Sequence, residues 1–234
     1  MNLENKIENI KDLNKDERKK IRKLATILKR LLRNETTGHD YWHAIRVLNL
    51  SLIIAEDEKR KNIKIDTLTL ILSSLLHDVS DWKLKEKKVD VRELLKSIGI
   101  DNVTIKKVLE IIREISFKGA LVRDKPKSIE AKILQDADRL DALGAIGIAR
   151  CFATGAKLGK VIYDPEIKPK LHKSFVSYKR SKSTSINHFY EKLLLLRRRM
   201  NTKLGKQIAK EREEFMRNFL KRIFLEFEAE DVKN

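Results

Sequence analysis

The chain is poor in residues that lock or break a backbone. Among 234 residues there is one cysteine, Cys151. It can build neither a disulfide framework nor a cysteine-type zinc site, and a reducing compartment is the simple expectation. The three prolines, Pro126, Pro165 and Pro169, fall in two stretches, 117–128 and 156–185, which read as loops. Aromatic residues make up 6%, with none of the basic–aromatic interleaving that stacks nucleobases. No apolar run approaches the roughly 18 residues of a membrane-spanning helix. Met1 to Lys20 carries charges of both signs and no apolar segment, so it reads as neither signal nor transit peptide. The expected location is the cytoplasm.

Charge, by contrast, is abundant. Lys and Arg number 52 against 34 Asp and Glu, a net charge of +18. The hydrophobic fraction of 41% beside 37% charged residues suits a globular chain with a sizeable core, not disorder. The positive excess could attract nucleic acid, an anionic membrane or a polyanionic small substrate, and composition alone favours none of them.

Apolar residues recur at helical spacing nearly throughout. Ile21, Leu24, Ala25, Leu28, Leu31 and Leu32 form one stripe within 16–33. After a break at 34–38, Thr36 or Thr37 can cap a helix over about 39–60. Asp66 caps a third over 67–78, whose centre is apolar apart from two serines and carries no charge, the mark of a buried helix. Further helices are expected over 86–98, ending at Gly99, over 101–115 behind Asp101, and over 129–154, 186–200 and 204–228. Residues 160–163 are the one stretch open to a short strand. The fold class is all-α.

Only five histidines occur, and three lie in two acidic neighbourhoods, His39-Asp40-Tyr41-Trp42-His43 and His77-Asp78-Val79-Ser80-Asp81. A third neighbourhood is Asp136-Ala137-Asp138-Arg139-Leu140-Asp141. His39 and His43 share a helix face. His77 and Asp78 end the most buried helix, where a carboxylate costs several kcal/mol unless it is paired or bound to metal. A single histidine on an apolar face is more often a hydrogen-bonded core residue, and Asp40 or Asp66 can be a simple cap. Two His-Asp clusters and an Asp cluster in a very basic protein exceed what caps require, and they suit a divalent cation.

The order H…HD…D, with the stretches HDYWHAIRV from His39, LLHDVSDWK from Leu75, QDADRLDALGAIGIAR from Gln135 and INHFYEKLLLLRRRMNT from Ile186, resembles the HD superfamily of metal-dependent phosphohydrolases. More narrowly it is similar to the YedJ/YpgQ-like group of stand-alone HD-domain proteins. The resemblance implies a helical bundle with a metal between its helices, over 36–234; residues 1–35, longer and more basic than that pattern, are expected as a helical segment packed on the core. It implies His43, His77, Asp78 and Asp138 as metal ligands. By the same alignment His39-Asp40 is not the ligating dipeptide, and His39 is expected behind the ligands or near substrate.

Mixed nitrogen and oxygen donors suit one divalent transition metal, Mn, Fe, Co, Ni or Zn, with Mg able to arrive on the substrate. Asp81 or Asp141 is expected to orient or deprotonate the attacking water; the bland alternatives are a cap for Asp81 and an arginine partner for Asp141. Lys83, Arg46, His188 and Lys192 are the candidates for gripping phosphate. The resemblance implies a nucleotide substrate, with a nucleoside triphosphate or its deoxy form cut to monophosphate and pyrophosphate as the preferred reaction. Phosphomonoesterase or phosphodiesterase chemistry on the same centre is the nearest alternative. A basic helical nucleic-acid-binding protein with a vestigial centre is the alternative of another class. The net charge supports that alternative; the intact ligand set and the missing aromatic interleaving weigh against it. No membrane partner is expected, and the sequence is silent on oligomeric state.

Overall fold

The computed structural model describes residues 3–79, 89–115, 126–171 and 183–232, and all regular structure among them is helical. The chain forms two compact units. The first comprises residues 1–116 and 124–137, the second 117–123 and 138–234.

The first unit contains α1 (Leu3–Glu8), α2 (Lys15–Leu31), α3 (Tyr41–Lys59), α4 (Thr67–Leu76), α5 (Val91–Ser97), α6 (Asn102–Ile115) and most of α7 (Ile129–Asp141). Helix α2 starts in a capping box. Asn14 accepts from the Glu17 amide at 2.9 Å and Glu17 accepts from the Asn14 amide at 2.8 Å, so two orphan donors are satisfied reciprocally. Its stripe of Ile21, Leu24 and Leu28 meets Leu48, Ile71 and Leu75 in one core that also takes in Ile7 and Leu13. The N-terminal helices therefore share the core of α3 and α4. Arg18 ties them down by donating to the carbonyls of Ile7 and Ile10 at 3.2 and 2.9 Å. Helix α4 is buried at every residue but the half-buried Leu68, as its uncharged centre leads one to expect.

The second unit holds the last turn of α7, then α8 (Gly144–Lys157), α9 (Ser185–Glu191), a 3₁₀ helix (Leu193–Arg199), α10 (Lys203–Phe227) and a short 3₁₀ turn (Glu230–Val232). Fully buried Phe189 packs between Phe152 and Phe219, with ring centroids 6.1 and 6.0 Å away. A Cβ on Gly155 would lie 2.2 Å from the Ser185 hydroxyl, so glycine is what lets α8 approach α9 this closely.

Several local expectations are revised. Of the cap readings, Asp40 and not Thr36 or Thr37 caps α3, because the helix begins only at Tyr41 and the Asp40 carboxylate accepts from the His43 amide. The helix expected over 129–154 is two helices, broken before Gly144, whose φ of +73° lies in the region glycine favours. The helix expected over 186–200 stops at Glu191 and continues as a 3₁₀ helix. Residues 160–163 form no strand; the carbonyls of Val161 and Ile162 accept from the amides of Ser185 and Ile186, both at 3.0 Å.

Candidate metal centre

Three local devices aim the histidines of the first unit. Asp40 accepts from the His43 amide at 2.9 Å and starts α3 with His43 in its first turn. Just upstream, the Glu35 carboxylate gathers the loop. It accepts from the Thr37 amide at 2.9 Å, the Thr37 hydroxyl at 2.7 Å and the His39 amide at 2.9 Å. Burial alone would raise its pKa, but these hydrogen bonds and the nearby His39 hold it below the usual carboxylate value. At the far end of α4, His77 closes the helix, with Nδ1 2.9 Å from the Ser74 carbonyl. The hydroxyl of Ser74 reaches Ser51 of α3 at 3.1 Å, so α4 is pinned to α3 one turn before His77.

The outcome is one cluster. His43 Nε2 lies 3.1 Å from His77 Nε2 and 3.1 Å from Asp78 Oδ2. His77 Nε2 is 3.7 Å from Asp78 Oδ1. His39 Nδ1 is 2.6 Å from Asp78 Oδ2. The side chains of His43 and His77 are 1% and 2% exposed, that of Asp78 20%. Burial pushes the Asp78 pKa up, yet the charges of His77 and His39 and hydrogen bonds from His39 and His43 hold it well below the ordinary value.

These donors fit a divalent cation. A neutral His77 donates its Nδ1 hydrogen to the Ser74 carbonyl, which leaves a lone pair on Nε2. That lone pair faces the Nε2 of His43 at 3.1 Å, a repulsive arrangement unless a cation or proton lies between. An ionised carboxylate beside two imidazoles is a donor set that mid-series divalent metals accept. His39, His43 and Asp78 offer donor atoms within 4.8 Å of one another.

The other expected residues are placed as follows. Asp138 is half-buried in α7, the first residue beyond the first unit. Asp141, in the same helix, is 2% exposed and ion-paired to Arg150 at 2.9 Å, the arginine partner weighed above. Arg46, one turn after His43 on α3, is half-buried. In the second unit His188 lies in α9 and Lys192 just after it, both half-buried. Asp81 and Lys83 lie outside the described residues. Sequence reasoning missed Glu35. A carboxylate two residues before Thr37-Gly38 was the available signal, since such an acid can gather the amides of a turn.

The HD domain model matches residues 41–143, a span that contains His43, His77, Asp78 and Asp138. The chain is 33% identical over 213 residues to the Bacillus subtilis protein YpgQ, covering 88% of this chain and 93% of that one. A Lactobacillus plantarum crystal structure superposes with a TM-score of 0.80 at 31% identity, over 93% of this chain and 99% of that one. An HD-superfamily hydrolase from Bacillus thuringiensis gives 0.66 at 36%, over 91% and 99%. The chain thus belongs to the HD superfamily of hydrolases and is an HD-type metal-dependent phosphohydrolase. YpgQ has been solved in complex with ADP; that structure gives a TM-score of 0.69 at 32% identity, over 89% of this chain and 95% of YpgQ.

Proposed function

We propose that this hydrolase is a nucleotide pyrophosphohydrolase, converting a nucleoside or deoxynucleoside triphosphate to the monophosphate and pyrophosphate. One observation carries the chemistry: two buried imidazole nitrogens 3.1 Å apart beside an ionised carboxylate. The ADP bound by YpgQ supports the nucleotide class. His43, His77 and Asp78, with Asp138 as the fourth ligand on motif order, hold the metal. A divalent cation there supplies a water of lowered pKa and polarises a phosphoryl oxygen.

The chain's own residues do the rest. His39 orients Asp78 through its 2.6 Å contact. Water attacks the α phosphorus, the bond from that phosphorus to the bridging oxygen breaks, and pyrophosphate leaves. With Asp141 committed to Arg150, we assign the water's proton to Asp81 on sequence grounds. Arg46, Lys83, His188 and Lys192 are proposed to hold the phosphates, which pairs cations with a leaving group of high negative charge. Burial pushes the Cys151 thiol up to about 12 and keeps it unreactive.

The test is hydrolysis of a nucleoside triphosphate panel with added Mn, Co, Ni or Mg, with pyrophosphate and orthophosphate measured separately and Asp78→Ala alongside. Pyrophosphate release that the variant loses supports the proposal. Orthophosphate release that the variant loses keeps the centre and moves the cut to the terminal phosphoanhydride, while release from a nucleoside monophosphate added to the panel would make the enzyme a phosphomonoesterase. Absence of turnover with every metal, in folded protein, rejects a nucleoside triphosphate as the substrate.

A further inference from the structure

The second unit carries a cleft of about 970 Å³ on the side of α10 that meets the 3₁₀ helix. Its wall is apolar and aromatic, formed by Tyr190, Leu194 and Leu195. The remaining lining is mostly cationic: Arg197, Arg198, Lys206, Lys210 and Arg217, with the neutral Gln207 and the single acid Glu213. Glu213 is 7% exposed. Its carboxylate is consumed by the guanidinium of Arg217 at 2.7 and 2.9 Å and approached by Arg197 at 3.8 Å. It therefore acts as a buried peg that holds two arginines, while their side chains remain 57% and 45% exposed. Tyr190 is 39% exposed and close enough to Arg217 to feel its charge.

The cations continue past the cleft. Lys206, Lys210, Arg217 and Lys221 are all exposed and fall at spacings of four, seven and four along α10. Those spacings place them on one face, a stripe roughly 22 Å long at 1.5 Å per residue. Glu211 falls to one side of it, while Glu214, four residues after Lys210 and three before Arg217, lies on the same face, so the stripe carries one exposed acid among four cations. A mononucleotide would occupy only part of such a stripe. A nucleic-acid strand spans it, with several phosphates along the cations and a base able to stack on Tyr190.

We propose that this stripe and cleft bind the phosphate backbone of a nucleic-acid strand, at a site made wholly of second-unit residues. The site gives part of the +18 charge a definite address. It does not depend on the reaction assigned to the metal centre, since none of its residues belongs to that machinery.

The experiment is a fluorescence-anisotropy titration of the full chain with labelled single-stranded RNA and DNA of about 20 nucleotides, across a salt series. Three proteins are compared: wild type, a triple variant carrying R198E, K206E and K210E, and a control carrying K19E, K29E and K106E. Both triples change the net charge equally. Wild type should bind with a steep salt slope. The cleft variant should lose at least tenfold in affinity and lower the slope by about 2, at about 0.7 per phosphate released. The control should stay within about threefold of wild type, and nucleotide hydrolysis should be unchanged in both. Equal loss in the two triples would reduce the effect to general charge attraction and overturn the proposal. So would absence of binding to either strand at low salt. Equal affinity for inorganic pyrophosphate and the strands, with no dependence on strand length, would replace the strand by a free polyphosphate.

Discussion

The side chain whose change separates metal binding from architecture is His39. It lies outside α3, its ring reaches Asp78 at 2.6 Å, and its amide is held by Glu35. On the proposed ligand set Asp78 holds the metal and His39 stands behind it, and the loss of such a partner typically costs 10–100-fold in metal affinity. His39→Ala should therefore bind Mn or Co roughly 10–100-fold more weakly by calorimetric titration, with helix content by circular dichroism unchanged. Loss of helix content would mean that the 35–39 loop, not the carboxylate, is what His39 supports. Cys151 gives a second test. The thiol is 9% exposed and burial pushes its pKa up to about 12, so a thiol reagent should label it only at the rate at which the protein opens. Rapid labelling in native buffer would contradict the packing of α8 on α9.

At the scale of elements, periodicity revealed where helices run and said little about how they end. The stripe of α2 and the uncharged centre of α4 were legible because burial on one face, or all round, writes itself into spacing. The break between α7 and α8 was not, because apolar residues continue through 142–148 and only the backbone sign of Gly144 marks it. The H…HD…D order was legible as a motif. His39 was expected behind the ligands or near substrate; that its partner is Asp78 was not legible, since the contact depends on a loop folded by Glu35, and loop geometry leaves no periodic trace. Gly147 shows how tightly the new helix start is built. A Cβ there would fall 2.3 Å from the Ala142 carbonyl oxygen, a backbone atom that cannot swing away. Gly147→Ala should destabilise the chain by about 1–3 kcal/mol through strain, read as a lower urea midpoint with an unchanged slope. An unaltered midpoint would mean that α8 shifts freely at its start.

At the scale of the whole molecule, a net charge of +18 makes acid the natural threat, because protonating carboxylates adds to an existing repulsion. Asp66 is a clean reporter. It caps α4 by accepting from the Thr69 amide at 3.0 Å and meets Lys107 of α6 at 2.8 Å. Burial raises its pKa, but the Lys107 hydrogen bond and the Thr69 amide outweigh this and lower it below the usual carboxylate value. With a depressed folded pKa, the unfolded chain binds more protons as pH falls, so stability falls with it. The contribution is complete above the unfolded value of about 4 and disappears as pH drops through the lowered folded value. Asn caps helices as well as Asp does, so Asp66→Asn removes the charge and keeps the cap. The variant should melt below wild type at pH 7, and the gap should close as pH is taken from about 5 to below 3. Because the pair is partly exposed, 34% for Asp66 and 52% for Lys107, the gap at pH 7 should also narrow in high salt. A gap independent of both pH and salt would assign the contribution of Asp66 to packing and hydrogen-bond geometry and not to its charge.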